Sequence, residues 1–283
     1  MITLFNMPLV TIVIPCYNHA EYVQDSIRSV LNQTYVNIEL IIIDDGSTDQ
    51  SVNKIKEMIV ECEQKFTRFE FRDRPNKGLS NTLNEALEWA NGEYFSVLAS
   101  DDQMLPEKTK LQVSAFKPDI VGVFGGVNII NDKNEIIFSR VREYSESNFD
   151  DIILTKHDLP ASSQMFEKNA LKEAGGYNPN VKVEDWDLLL RISKLNKKMV
   201  YIPEVLINYR KHDTNISSNS KFMYEEMSKI LDQYMGEPLY AQAKFIIKRR
   251  LLLPEIKEEN KLLALLFKVR IYLEYRLFLF TRK

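Results

Sequence analysis

The sequence predicts an α/β protein, a doubly wound and mostly parallel sheet followed by a helical C-terminal extension. Three observations carry this expectation. Apolar runs alternate with helix-period segments through the first hundred residues, the order that parallel βαβ units require. Two of those runs, Leu40-Ile41-Ile42-Ile43 and Tyr94-Phe95-Ser96-Val97-Leu98, end in carboxylates, as buried strands do when their tips meet solvent. After Asn219 the pattern becomes helical.

The β-branched run Val10-Thr11-Ile12-Val13-Ile14 predicts the first strand, which Pro15-Cys16-Tyr17-Asn18 ends. A helix follows to about residue 32, with Val23, Ile27, Val30 and Leu31 on one face. Residues 38–43 form the second strand, and Ser47 or Asp49 can cap a helix running to Cys62. Phe69-Glu70-Phe71 is a short third strand. Asn76-Lys77-Gly78 turns into a helix over 79–90, which Asn91-Gly92 stops. The fourth strand, 94–98, delivers Asp101 and Asp102. Beyond it come a helix from Pro106 to Phe116, a strand over 120–124 and a hairpin turn at Asn131-Asp132-Lys133-Asn134. Short strands and a helix over 185–194 then lead to the boundary expected at residue 220, so that 1–220 and 221–283 form the two parts.

Composition narrows the class. Hydrophobic residues at 45% and aromatic residues at 11% suffice for a full core. The net charge of -3 is unevenly placed: residues 244–283 hold 11 Lys/Arg against 4 Asp/Glu, a surplus of +7, and the rest carries -10. A basic tail on an acidic body points to an anionic surface. The two cysteines, Cys16 and Cys62, form no disulfide framework, and a reduced cytosolic chain is expected. Residues 1–7 lack a signal-peptide pattern, and no charge-free run reaches the ~18 residues of a spanning helix.

Three acidic clusters carry the chemistry: Asp44-Asp45 with Asp49, Asp101-Asp102, and Glu184-Asp185-Trp186-Asp187. Crowded carboxylates repel one another and invite a cation, which suggests a divalent metal and a ligand bringing its own negative charge, such as a nucleotide diphosphate. Asp45 can accept hydrogen bonds from a base or ribose, or serve only in a capping turn. Asp101 and Asp102 suit Mg2+ or Mn2+ shared with phosphate oxygens, or form a solvated turn before Pro106. The helix dipole explains at least one acid of the third cluster, and a spare one can act as general base. Tyr17 can stack on a nucleobase or simply pack. Lys77-Gly78 can hold phosphate at a helix start or make an ordinary turn. His212 can be a metal or phosphate ligand, or a plain surface or core histidine.

Together these segments resemble the family 2 glycosyltransferases with a GT-A fold. The resemblance covers about residues 9–219. It rests on Val10 to Asn18, Ser29 to Tyr35, Glu39 to Asp49, Asn76-Lys77-Gly78, Gly92-Glu93-Tyr94, Ser100-Asp101-Asp102, Gly175-Gly176-Tyr177 and Glu184 to Leu188, in that order. It implies that Pro15, Tyr17 and Asp45 contact the nucleoside, with Lys77, Gly78 and Asp101 around the donor. It implies Asp102 as ligand of Mn2+ or Mg2+, His212 as a late metal or diphosphate contact, and Asp185 as catalytic base. Many relatives carry a further Asp where this chain has Ala99, which concentrates metal binding on Asp102. The implied reaction is inverting transfer from a nucleotide-diphosphate sugar, with a UDP-sugar favoured, to a glycan or lipid-linked acceptor in polysaccharide or glycolipid synthesis. The expected location is cytoplasmic, peripheral on the inner face of the plasma membrane, with 221–283 meeting anionic lipid or a second subunit. No nucleic acid partner is expected. Rival readings are an inactive sugar-nucleotide-binding scaffold and a nucleotidyltransferase. The latter needs a basic, Gly-rich loop that Pro15-Cys16-Tyr17-Asn18-His19 does not offer.

Overall fold

A computed structural model describes residues 7–211, 219–259 and 261–281. Its centre is a ten-stranded sheet. In chain order the strands are β1 (Val10–Cys16), β2 (Ile38–Asp44), β3 (Arg68–Asp73), β4 (Tyr94–Val97), β5 (Gln103–Met104), β6 (Ile120–Ile130), β7 (Ile136–Arg140), β8 (Ser145–Ser147), β9 (Met165–Glu167) and β10 (Lys198–Arg210). They lie in the order β3-β2-β1-β4-β9-β6-β10-β5, with β7 beside β6 and β8 beside β10.

The helices are α1 (Val23–Leu31), α2 (Ser51–Lys56), α3 (Ile59–Lys65), α4 (Leu79–Trp89), α5 (Lys108–Ala115), α6 (Phe149–Ile153), α7 (Lys168–Glu173), α8 (Glu184–Ser193), α9 (Ser220–Asp232), α10 (Tyr240–Glu259) and α11 (Lys261–Thr281).

The first half of the sheet is parallel, as the alternation predicts: β3, β2, β1 and β4 run side by side in one direction. The second half is mixed. Strand β9 inserts antiparallel between β4 and β6, while β6 and β10 pair parallel to each other. Two antiparallel steps restore direction, so the carboxyl ends of β1, β2, β4, β6 and β10 share one edge of the sheet. Long-range insertion of a three-residue strand leaves no signal in local periodicity, so the sequence pattern did not reveal it.

Alternation along the strands builds two cores, one on each face. Ile12, Ile14, Leu40 and Ile42 pack with Val23, Ile27 and Val30 of α1. Val13, Ile41 and Ile43 belong to the opposite core, with Leu83 and Leu87 of α4 and Leu188, Leu190 and Ile192 of α8. That core extends into Ile230 and Leu231 of α9 and Ala243 and Ile247 of α10. The boundary expected at residue 220 thus falls between elements that share one core.

The helix expected from residue 49 to Cys62 is two short helices, broken at Glu57-Met58. Neither Ser47 nor Asp49 sits at its N-cap, which is Gln50 and has no side-chain cap bond. Their side chains hold loops at the sheet edge instead.

Candidate active site

The tips of β1 and β2 are stitched together by side chains that look, in sequence, like capping residues. Asp44 accepts from the Ser47 amide at 2.8 Å and its hydroxyl at 2.6 Å. The Ser47 hydroxyl in turn accepts from the Asn18 amide at 2.8 Å. Asn18 has φ 54°, and its side-chain oxygen accepts from the Thr48 amide at 2.8 Å. Asp49 accepts from the amides of Ala20 and Ser51, at 3.0 and 2.9 Å. Asp44 and Asp49 are therefore scaffolding. Tyr17 stands half exposed above this frame, and Pro15 lies within β1 opposite Ile43.

Asp45 is buried and fully engaged. Its Oδ1 accepts from Arg74 and, at 2.8 Å, from the Lys77 amide, while Oδ2 accepts from the Gly78 amide at 2.9 Å. Arg74 also donates to Glu85 at 2.8 Å and to the Thr82 hydroxyl at 2.9 Å. The amides that begin α4 thus point at Asp45. The Lys77 side chain is exposed, with its Nζ 3.9 Å from Glu85. Gly46 permits the approach of the two loops: at φ +79°, its Cβ would stand 2.6 Å from the Asn76 nitrogen.

Asp101 and Asp102 follow β4 and meet the end of β10. Asp102 is 1% exposed and accepts from the Arg210 amide at 2.8 Å through Oδ1. Its Oδ2 accepts no hydrogen bond among the described residues. Burial, and after it the charge of Asp101, raise the Asp102 carboxyl well above the usual range; Arg210 opposes them. The Arg210 side chain is fully buried, donating to the Asp101 carbonyl at 2.8 Å, the Asn131 carbonyl at 2.9 Å and the Asn134 side chain at 2.6 Å. Its guanidinium also lies 4.6 Å from the Tyr22 ring centroid. Ser100 bonds His19 of the β1 loop at 2.7 Å, which joins this turn to the first.

The donor set fits a hard cation. A divalent ion offsets the charge that burial and Asp101 make costly, and Mg2+ or Mn2+ accepts one or two carboxylates when phosphates complete its shell. Among the described residues no three His, Cys, Asp or Glu converge into a self-sufficient metal cluster. The pair therefore suits an ion shared with a ligand. His212 lies outside the described residues.

Asp185 opens α8, half-buried, with its Oδ1 accepting from the Trp186 amide at 2.7 Å. Burial raises its carboxyl above the usual range, and that amide opposes the shift. Glu184 is pushed up to about 7, by burial first and then by the charge of Asp185. Asp187 is committed to Arg191, at 2.7 and 2.8 Å. The α8 start is tied to the carboxyl edge of the sheet through α4. Asn84 accepts from the Tyr177 amide and donates to its carbonyl, both at 2.7 Å. The Tyr177 ring is buried beside Glu184 and Asp185, its hydroxyl without a hydrogen-bond partner among the described residues.

With this geometry in view, comparison with known proteins decides the family. A family model for glycosyl transferase family 2 matches residues 11–175. The chain belongs to glycosyl transferase family 2. A chondroitin synthase of Pasteurella multocida is 30% identical to this glycosyltransferase over 214 residues, 75% of this chain. The chain spans only 21% of that synthase. TarS of S. aureus, solved in complex with UDP-GlcNAc, matches with TM-score 0.64 at 18% identity, over 88% of this chain and 73% of that one. The mannosyltransferase PcManGT from Pyrobaculum calidifontis, in complex with GDP-Man and Mn2+, matches with TM-score 0.60 at 14% identity, over 96% and 83%. The fold is thus the GT-A fold that the sequence predicts.

Within this family 2 glycosyltransferase, the described site residues assemble as two groups. Pro15, Tyr17, Asp45, Lys77, Gly78, Asp101 and Asp102 gather along the carboxyl edge of the sheet. Asp185 sits at the head of α8. Sequence reasoning missed Arg74 and Arg210, the two buried cations that hold the acidic loops. An arginine ending a long apolar strand is the only local signal of Arg210; that it faces the Asp101-Asp102 turn is set by partners more than a hundred residues apart.

Proposed function

We propose that this chain is an inverting glycosyltransferase that uses a UDP-sugar and builds a cell-surface polysaccharide or glycolipid. One observation carries the reading. A buried Asp101-Asp102 turn stands on the nucleotide edge, while a half-buried Asp185 with a raised pKa heads a separate helix. Donor and acceptor chemistry thereby have separate carboxylates. TarS with UDP-GlcNAc supports the choice of uridine, and PcManGT with Mn2+ supports a metal.

In this reading Asp45 and the loop it locks, with Pro15 and Tyr17, receive the nucleoside. Asp102, with Asp101, holds Mn2+ or Mg2+, which when bound offsets charge on the donor diphosphate. Asp185 takes the proton from the acceptor hydroxyl as its oxygen attacks the anomeric carbon. The bond from that carbon to the diphosphate oxygen breaks on the opposite face, and the nucleoside diphosphate leaves with the electron pair. A positioned base contributes ~100- to 10,000-fold. The Asp185→Asn variant is expected to lose about that much turnover while binding UDP normally. Wild-type turnover in that variant would remove Asp185 from its role, and loss of UDP binding would mean that the substitution disturbs the fold.

The proposal extends to α11 and the cytoplasmic membrane face. No helix among the described residues is long and apolar enough to cross a membrane. On α11, however, Leu265, Leu266, Val269, Tyr272 and Leu273 are exposed at three- and four-residue spacing, while Ala264 and Ile271 are buried. Exposed Lys268 and Arg276 flank that stripe. Such a face suits an anionic lipid surface. Wild-type protein is expected to sediment with anionic liposomes, and a Leu266→Glu, Val269→Glu variant is expected to stay in the supernatant. Equal sedimentation would refute the lipid contact, and a change of oligomeric state instead would assign the stripe to a second copy.

A further inference from the structure

A cavity of about 210 Å3 opens beside Asp185, bounded by the segment after α6 and by α9 and α10. It is smaller than the ~300 Å3 at which pockets for drug-sized ligands begin, which is the scale of a single sugar ring. Trp186 and Met227 contribute to an apolar wall. The polar residues are Asp185, Thr155, His157 and Arg250.

Two buried polar atoms of this lining find no partner among the described residues, and a cation stands beside them. Thr155 takes φ 50° because it closes α6: its amide donates to the Ile152 carbonyl at 3.0 Å and the Lys156 amide to the Asp151 carbonyl at 2.8 Å, a helix end that turns the Thr155 side chain toward the cavity. Among the described residues the Thr155 hydroxyl and the His157 Nδ1 are both buried and without a hydrogen-bond partner, where native folds leave few such atoms. Arg250 is exposed and has no ion pair among the described residues, yet it lies close enough to His157 to help lower its pKa. Burial does most of that lowering, to about 4, so the ring is neutral near pH 7 and can serve as donor or acceptor.

We propose that this cavity is the acceptor subsite and that it takes a sugar carrying an anionic group, a carboxylate or a phosphate. This rests on Asp185 being the base of the proposed transfer reaction. Arg250 pairs with the anion, which a guanidinium engages through two parallel hydrogen bonds. Thr155 and His157 bond the ring hydroxyls, and Trp186 and Met227 line its apolar face. A neutral acceptor would leave Arg250 to solvent. An anionic one satisfies the cation and fixes which hydroxyl reaches the base. The C-terminal helices then act in recognition, since Arg250 and Met227 both come from beyond residue 220.

The test is a ligand-observed NMR titration of the full chain, with UDP and Mn2+ present. The probes are methyl β-glucuronide, glucose 6-phosphate and methyl β-glucoside. At least one charged sugar is expected to bind ~10-fold or more tightly than the glucoside, as a charge-assisted bond should provide. Whichever charged probe binds better identifies the anion. Arg250→Gln is expected to abolish that preference while leaving glucoside and UDP affinities unchanged. Thr155→Val is expected to weaken all of the sugars alike. Equal binding of charged and neutral sugars, a preference that survives Arg250→Gln, or no sugar binding at all would each overturn the proposal, provided that UDP still binds. Failure of UDP to bind the wild-type chain would instead count against the glycosyltransferase reading itself.

Discussion

Replacing Asp45 with Asn removes one charge from a buried knot while keeping its shape. Asp45 and Arg74 are each 8% exposed at the side chain, and their ion pair joins the β2 tip to the loop before α4. The carboxylate also accepts the Lys77 and Gly78 amides at 2.8 and 2.9 Å, on different oxygens. An asparagine retains one acceptor oxygen. If that oxygen keeps Arg74 and Lys77, the new NH2 faces the Gly78 N–H, donor against donor. One unsatisfied buried amide costs about 1–3 kcal/mol. Breaking a buried ion pair outright costs about 3–5 kcal/mol, but Arg74 keeps Glu85 at 2.8 Å, so only part of that applies, about 1–2 kcal/mol. The sum is on the order of 2–5 kcal/mol, which in a protein of this size lowers Tm by roughly 3–8 °C. Because Gly78 begins α4, the loop moves with it, and UDP affinity is expected to fall as well. Differential scanning calorimetry and UDP titration measure both. A double-mutant cycle with Arg74→Gln isolates the pair and should return a positive coupling energy. A variant that melts with the wild type and binds UDP equally well would refute the account of the knot.

Other predictions follow from the same geometry. Gly176→Ala places a Cβ 2.6 Å from the Asn84 side-chain oxygen at φ +71°, so it should destabilise the chain by more than the ~1–2 kcal/mol of a left-handed L-residue; a urea midpoint equal to wild type would contradict the Asn84–Tyr177 clasp. Glu184 has a folded-state pKa of about 7, above its ordinary 4.5, so the stability it contributes is complete below pH 4.5 and lost as pH rises through about 7. Glu184→Gln should therefore gain stability on wild type across that window, and parallel stability curves would exclude the effect. Asp102→Asn is expected to abolish the enhancement of UDP binding by Mn2+, a loss of at least the ~10–100-fold seen for groups that merely support a metal ligand. Without metal the same variant should melt no lower than wild type at pH 8, since burial already disfavours the Asp102 charge. A lower Tm with intact Mn2+ response would reverse the assignment.

The sequence by itself determined the strand-helix alternation of the first hundred residues, the two carboxylate-tipped strands and the acidic helix start at Glu184. These are local facts: β-branched runs choose extended backbone, and a seven-residue buried strand needs no distant partner to be recognised. The bonds of Asp44 and Asp49 to Ser47 and Ser51 are equally local, two or three residues apart, although Asp49 holds a loop rather than the helix N-cap that its position suggests. Only the tertiary structure decided the rest. The insertion of β9 that makes half of the sheet mixed joins residues far apart in sequence. So do the burial of Arg210 against Asp101 and Asp102, more than a hundred residues upstream, and the sharing of one core by α9, α10 and the sheet. The buried Thr155 hydroxyl and His157 Nδ1, unpartnered among the described residues, also became visible only when helices from beyond residue 220 closed around Asp185. Local chemistry proposes where carboxylates sit, but burial sets their charge state, and burial is a property of the packed chain.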